Sequence, residues 1–183
     1  VRVPWPAADA ARRTDGGTCL WAQTITRELG GVSPIINAPS GVNKRDLRYQ
    51  AGHVATQRLH NGGHNCIAGQ VVVVSSDWPQ KNAFLAELRS ALDRAPARPP
   101  WYPGSDDRLA SAADSYPDAE RLGADGCRLL IDVKVDDDAS TVTTTECFSP
   151  VLGVIQLPGT GPALLAAAVG AAHDEFARTR GDH

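Results

Sequence analysis

The sequence predicts an α/β fold, with a mainly parallel sheet flanked by helices. Three observations carry the prediction. Strand-like apolar runs alternate with segments whose apolar residues recur at helical spacing. The run Gln70–Ser76 (QVVVVSS) is β-branched almost throughout, the pattern of a parallel strand covered on both faces. At 183 residues, the chain is long enough to bury a substantial single core.

Taken in order, residues 1–17 read as an irregular, proline-broken arm and residues 18–183 as one domain. Thr18–Leu29 (TCLWAQTITREL) is rich in β-formers and reads as a strand running into Gly30 and Gly31. Ser33–Ala38 (SPIINA) is a second short run, closed by Pro39-Ser40-Gly41. From Asn43 to about His60, the apolar residues Leu47, Ala51, Val54, Ala55 and Leu59 predict a helix. Asn43 is its N-cap, and Asn61-Gly62-Gly63 its stop signal. Beyond the valine strand, Asp77 is expected to cap a helix with Pro79 in its first turn. Phe84, Leu85, Leu88 and Leu92 are its inner stripe. A Pro/Gly loop over residues 95–105 leads to a short helix over Asp106–Ser115. Strands over Cys127–Val135 and Pro150–Leu157 and a helix from about Gly161 to Arg178 complete the pattern.

Composition narrows the function classes. The net charge is −3 with both signs interspersed, which argues against a nucleic-acid surface, where Lys and Arg cluster. No apolar run approaches the roughly 18 residues of a membrane span, so no membrane partner is expected. Neither GxGxxG nor GxxxxGK[ST] occurs, so nucleotide chemistry would need residues outside this chain. There is no methionine, even at position 1, and the sequence is expected to be a piece of a longer protein. The cysteines Cys19, Cys66, Cys127 and Cys147 are irregularly spaced with no CxxC, the usage of free thiols in a reducing cytoplasm.

Three segments hold residues capable of chemistry. Cys66 follows a glycine-rich turn (NGGHN), which offers exposure and free backbone N–H groups to a nucleophilic thiol. The same cysteine can equally be a small buried hydrophobe at a strand start. A metal shared with His60 and His64 is a third reading, opposed by the helix-breaking Gly62-Gly63 and the lack of a nearby second thiol. A thiol hydrolase using His53, His60 or His64 as base is a fourth. Glu28 precedes Gly30-Gly31 at the end of a predicted strand, and the carboxyl ends of parallel strands are where α/β proteins place their sites. Glu146 stands just before Phe148 and Pro150.

Together, Glu28–Gly31 (ELGG), Asn61–Gly69 (NGGHNCIAG) and Glu146–Leu152 (ECFSPVL) resemble, in this order, the aldehyde dehydrogenase patterns ELGGxxP, NxGQxCxA and ExFGPVxxV. Pro34 also falls where the first pattern expects it, and the resemblance runs from about Thr18 to Ile155. It implies the family's catalytic-domain fold and a parent enzyme that oxidises an aldehyde with NAD or NADP. Cys66 is implied as the nucleophile and Glu28 as the base that activates water. Glu146 is implied to bind the nicotinamide ribose, with Phe148 and Gly30 also at the cofactor. The Cys66 backbone N–H is implied as half of an oxyanion hole. The implied partners are the aldehyde, the dinucleotide-binding domain of the same parent and a second copy in an oligomer. This piece alone is expected to be inactive as a dehydrogenase, and a non-catalytic structural or assembly domain is the remaining alternative. The sequence departs from the patterns at His64, where Gln is usual, at Ser149, where Gly is usual, and at Val32, where Lys is frequent.

Overall fold

A computed structural model describes residues 31–133 and 138–176, as five strands, five α-helices and two single 3-10 turns. β1 (Ser33–Asn37) is followed by α1 (Lys44–Leu59), β2 (Gly69–Ser75), α2 (Lys81–Arg94) and α3 (Ser105–Ser115). Then come β3 (Glu120–Leu122), β4 (Arg128–Val133), α4 (Ser140–Thr144), β5 (Val151–Leu157) and α5 (Gly161–Phe176). The sheet order is β1-β2-β5-β4-β3, parallel except for the antiparallel pairing of β3 on β4. A mainly parallel sheet flanked by helices is therefore what the sequence folds into.

The valine run explains the layering. Val72 and Val74 pack with Leu47, Val54, Phe84 and Leu88 beneath α1 and α2. Val71 and Val73 pack on the opposite face with Ala112, Val142 and Ala168 of α3, α4 and α5. Burial on both faces is why the strand needs no polar alternation. α1 starts where expected, with the Asn43 side chain accepting from the N–H groups of Arg45 and Asp46 at 2.9 and 3.0 Å. It ends at Asn61-Gly62-Gly63, three successive residues with φ of 53°, 67° and 84°.

Two expectations are corrected and two elements are new. Asp77 does not cap α2: its carboxylate accepts from Gly159 N–H at 2.7 Å, tying the end of β2 to the turn after β5. The chain needs the turn at Ser76–Gln80 to leave the sheet, so the helix begins only at Lys81, after Gln80. β3 and α4 are short elements that the apolar pattern did not announce. The predicted strand Thr18–Leu29 and the arm over residues 1–17 lie outside the described residues. Among the described residues, no helix is long and apolar enough to cross a membrane.

Candidate active site

Three parallel strands collect three segments at one end of the sheet. β2 lies between β1 and β5, with Val71 opposite Pro34 on one side and Gly153 on the other. The segments that enter them (Gly31–Val32, Asn61–Ala68 and Thr145–Pro150) therefore meet at the amino ends of these strands. The expectation made from Glu28, of a site at strand carboxyl ends, concerns the strand Thr18–Leu29, which lies outside the described residues. Glu28 and Gly30 themselves lie outside the described residues.

Cys66 sits half-buried in a tight turn closed by Ala68 N–H donating to Asn65 O at 3.0 Å. The turn is built from side chains of its own loop. Asn61 Nδ2 donates to His64 O at 3.1 Å and to Asn65 Oδ1 at 3.2 Å. His64 is buried, with Nδ1 3.0 Å from Asn61 O and Nε2 2.9 Å from Ser105 Oγ. A carbonyl only accepts, so Nδ1 carries the proton and Nε2 accepts from Ser105. Both ring nitrogens are thereby engaged, and the residue standing where Gln is usual anchors the loop to the start of α3. Its ring also packs against Trp101, Tyr102 and Phe148. Among the described residues, no three His, Cys, Asp or Glu side chains come together to hold a metal.

The segment before β5 is held by two long-range polar residues, Gln70 and Arg108. Gln70, at the start of β2 and 1% exposed, donates to Val142 O and Thr145 O, each at 2.8 Å. Its Oε1 accepts from Cys147 N–H at 2.8 Å, so one amide brackets Glu146 on both sides. Arg108, from α3, donates to Cys147 O at 2.9 Å and Phe148 O at 3.1 Å. These bonds hold Phe148 at φ 40°, a left-handed conformation that a bulky residue adopts only when its surroundings impose it. Ser149 is fully buried next to it.

Arg58 braces the Cys66 loop and carries its charge close to the Glu146 segment. It lies on α1, 2% exposed, and donates to Gly63 O at 2.7 Å and Gly69 O at 3.4 Å. Burial lowers its pKa to about 10, while Cys147 and Glu146 raise it, so it remains a cation at neutral pH. Gly63 fills the gap between them. A Cβ there would stand 2.7 Å from Arg58 Nη2 and 2.9 Å from the Ser149 carbonyl.

Glu146 receives this surrounding charge. Its pKa is raised by burial, against the Gly31 N–H bond and the charges of Arg58 and Arg108, which lower it. Gly31, the last residue of the ELGG segment, thus reaches the glutamate of the third segment directly. Glu146 Oε1 is buried without a hydrogen-bond partner. Burial pushes the neighbouring Cys147 thiol up to about 11, which makes it a core residue rather than a reactive one.

Reading the sequence singled out Cys66, Glu146 and Phe148 as candidates but gave no notice of Arg58, Gln70 or Arg108, the side chains that hold their segments. A signal existed for the first two. Arg58 continues the apolar stripe of Leu47, Ala51 and Val54 at helical spacing, and Gln70 is the one polar residue opening a valine strand. Arg108 carries no such mark.

No family model matches the sequence, and no curated protein matches it significantly. Solved structures do. The γ-glutamyl-γ-aminobutyraldehyde dehydrogenase of Burkholderia cenocepacia is 26% identical, with a TM-score of 0.61 over 80% of this chain and 32% of that one. The NADP-dependent glyceraldehyde-3-phosphate dehydrogenase of Bacillus halodurans, complexed with NADP, is 18% identical, with a TM-score of 0.61 over 81% and 32%. The aldehyde dehydrogenase KauB of Pseudomonas aeruginosa is 23% identical, with a TM-score of 0.59 over 79% and 32%. The chain spans about a third of the length of these structures. Fold and sequence motifs therefore agree: over most of its length, this chain is a structural counterpart of one portion of the aldehyde dehydrogenases.

Proposed function

We propose that residues 18–183 are the thiol-bearing catalytic portion of an aldehyde dehydrogenase that oxidises an aldehyde to a carboxylic acid. The observation that carries this reading is the convergence of the three segments, with Gly31 N–H bonded to Glu146 beside the loop of Cys66. In this reading Cys66 Sγ adds to the aldehyde carbon, and the carbonyl oxygen is received by backbone N–H groups that include its own. A bound NAD or NADP would supply the hydride acceptor, so that Cys66 carries the acyl group as a thioester. Glu28 takes a proton from water, the hydroxide attacks the thioester, and the acid leaves as the thiol is restored.

The described residues fit a dinucleotide's nicotinamide end. Glu146 Oε1 is a buried acceptor without a partner, suited to a ribose hydroxyl, and Arg58 and Arg108 favour its ionised form. Phe148 and Gly30 would flank that end. The chain's role implies the rest of a longer protein, including a dinucleotide-binding domain, and a second copy in an oligomer. A reducing cytoplasm suits a thiol enzyme whose Cys127 and Cys147 are unpaired. On its own, the chain would not oxidise aldehydes. The test uses the longer protein: Cys66→Ala should abolish both aldehyde oxidation and ester hydrolysis, and retained turnover would end the proposal.

A further inference from the structure

A cavity of about 630 Å³ opens on the outer side of the nucleophile loop, within the size range of small-molecule sites. His60 and Asn65 form the wall that it shares with the Cys66 turn, one residue before the thiol. Arg94, Arg98 and Arg128 surround it, Cys127 lies in its wall, and among the described residues no Asp or Glu lines it. In a chain of net charge −3, this is a local reversal of sign. Arg128 is 4% exposed and, among the described residues, donates to the carbonyls of Leu92, Ala95 and Pro96 and pairs with no carboxylate. Arg94 donates to Ser90 Oγ. The nearest acid in sequence, Asp93, faces elsewhere and accepts from Gly123 N–H at 3.0 Å. Asn65 Nδ2 donates to His60 Nδ1 at 2.6 Å, which leaves the proton of a neutral His60 ring on Nε2 as a further donor.

We propose that this cavity binds a small carboxylate, the acidic end of the aldehyde substrate, whose carbonyl end reaches the Cys66 turn. The assignment of an aldehyde rests on the function proposed above, whereas the carboxylate preference rests on the cavity alone. Arginine forks match a carboxylate's two oxygens, and an apolar wall from Leu59, Ala91 and Pro150 suits a short carbon chain.

The test has two arms. In this chain, alkylation of half-buried Cys127 by N-ethylmaleimide is followed by peptide mass spectrometry, with succinate or neutral succinamide at equal ionic strength. With succinate about ten times above half-saturation, the rate should fall about tenfold, because only about a tenth of sites stay empty. Succinamide should not protect, and R94Q/R98Q, which alters two exposed side chains, should lose the protection. Equal protection by succinamide, no protection by succinate, or protection that survives R94Q/R98Q would overturn the proposal. In the longer protein, the kcat/KM ratio of 4-oxobutanoate to butanal should fall about tenfold in R94Q/R98Q, with butanal unaffected. An unchanged ratio would overturn the substrate assignment. Protection of Cys127 without turnover of either aldehyde would sink the dehydrogenase reading and leave the anion site standing. Turnover of butanal without protection would do the reverse.

Discussion

Gln70→Leu tests whether the Glu146 segment is held as described. The substitution keeps the approximate volume and removes three hydrogen bonds of 2.8 Å each, to Val142 O, Thr145 O and Cys147 N–H. Each is a backbone group at a site where Gln70 itself is 1% exposed, so water does not readily replace the lost partner. At about 1–1.5 kcal/mol for each unsatisfied group, the loss sums to about 3–4 kcal/mol, offset by about 1 kcal/mol from burying leucine in place of an amide. The net expectation is about 3 kcal/mol of lost stability. With a urea slope of about 2 kcal/mol per molar, the unfolding midpoint should fall by about 1.5 M at unchanged slope. A local readout accompanies it. Cys147 is 3% exposed, so its alkylation requires opening of this segment, and its rate should rise about a hundredfold in the variant. A stability change under about 0.5 kcal/mol, with Cys147 still protected, would show that Gln70 does not hold the segment.

Three further outcomes follow from the same geometry. Gly63→Ala forces φ 84° on alanine and drives a Cβ to 2.9 Å from the Ser149 backbone. It should cost about 3 kcal/mol in urea unfolding, whereas Gly52→Ala, in α1 with open space around it, should gain about 0.5–1 kcal/mol. In the native fold, the Cys147 thiol should ionise near its raised value of about 11, so at pH 8 maleimide should label Cys127 well before Cys147, as peptide mapping will show. The folded pKa of Glu146 lies above its ordinary 4.5, so the fold binds the extra proton more readily than the unfolded chain does. Its contribution is therefore full below pH 4.5 and is lost as pH rises through the folded value. Glu146→Gln should remove that decline, being at least as stable as the native chain at pH 7 in paired urea titrations.

Local physics made much of this fold legible. The Asn43 cap, the α1 stripe, the glycine stop and the valine strand each follow from neighbours within a turn or a strand. The failures share a cause, which is distance along the chain. Asp77 has the chemistry of a cap, but a partner 82 residues away takes its carboxylate. Gln70 acts on backbone groups 72 to 77 residues away, and Arg108 on groups 39 and 40 residues away. Nothing in a short window reports such partners. Motif spacing stood in for the fold in picking out the Cys66 and Glu146 segments, which the sheet brings to one end. The site was not legible in the side chains that hold those motifs together.

The most direct test of the central claim is a single-turnover experiment on the longer protein carrying Glu28→Gln. Mixed with an aldehyde and NAD or NADP, this variant should release one equivalent of reduced cofactor and then stall. Peptide mass spectrometry should find the acyl group on Cys66. A stalled burst with that adduct is the result the account predicts. Undiminished steady turnover, or an acyl group on any cysteine other than Cys66, would contradict it.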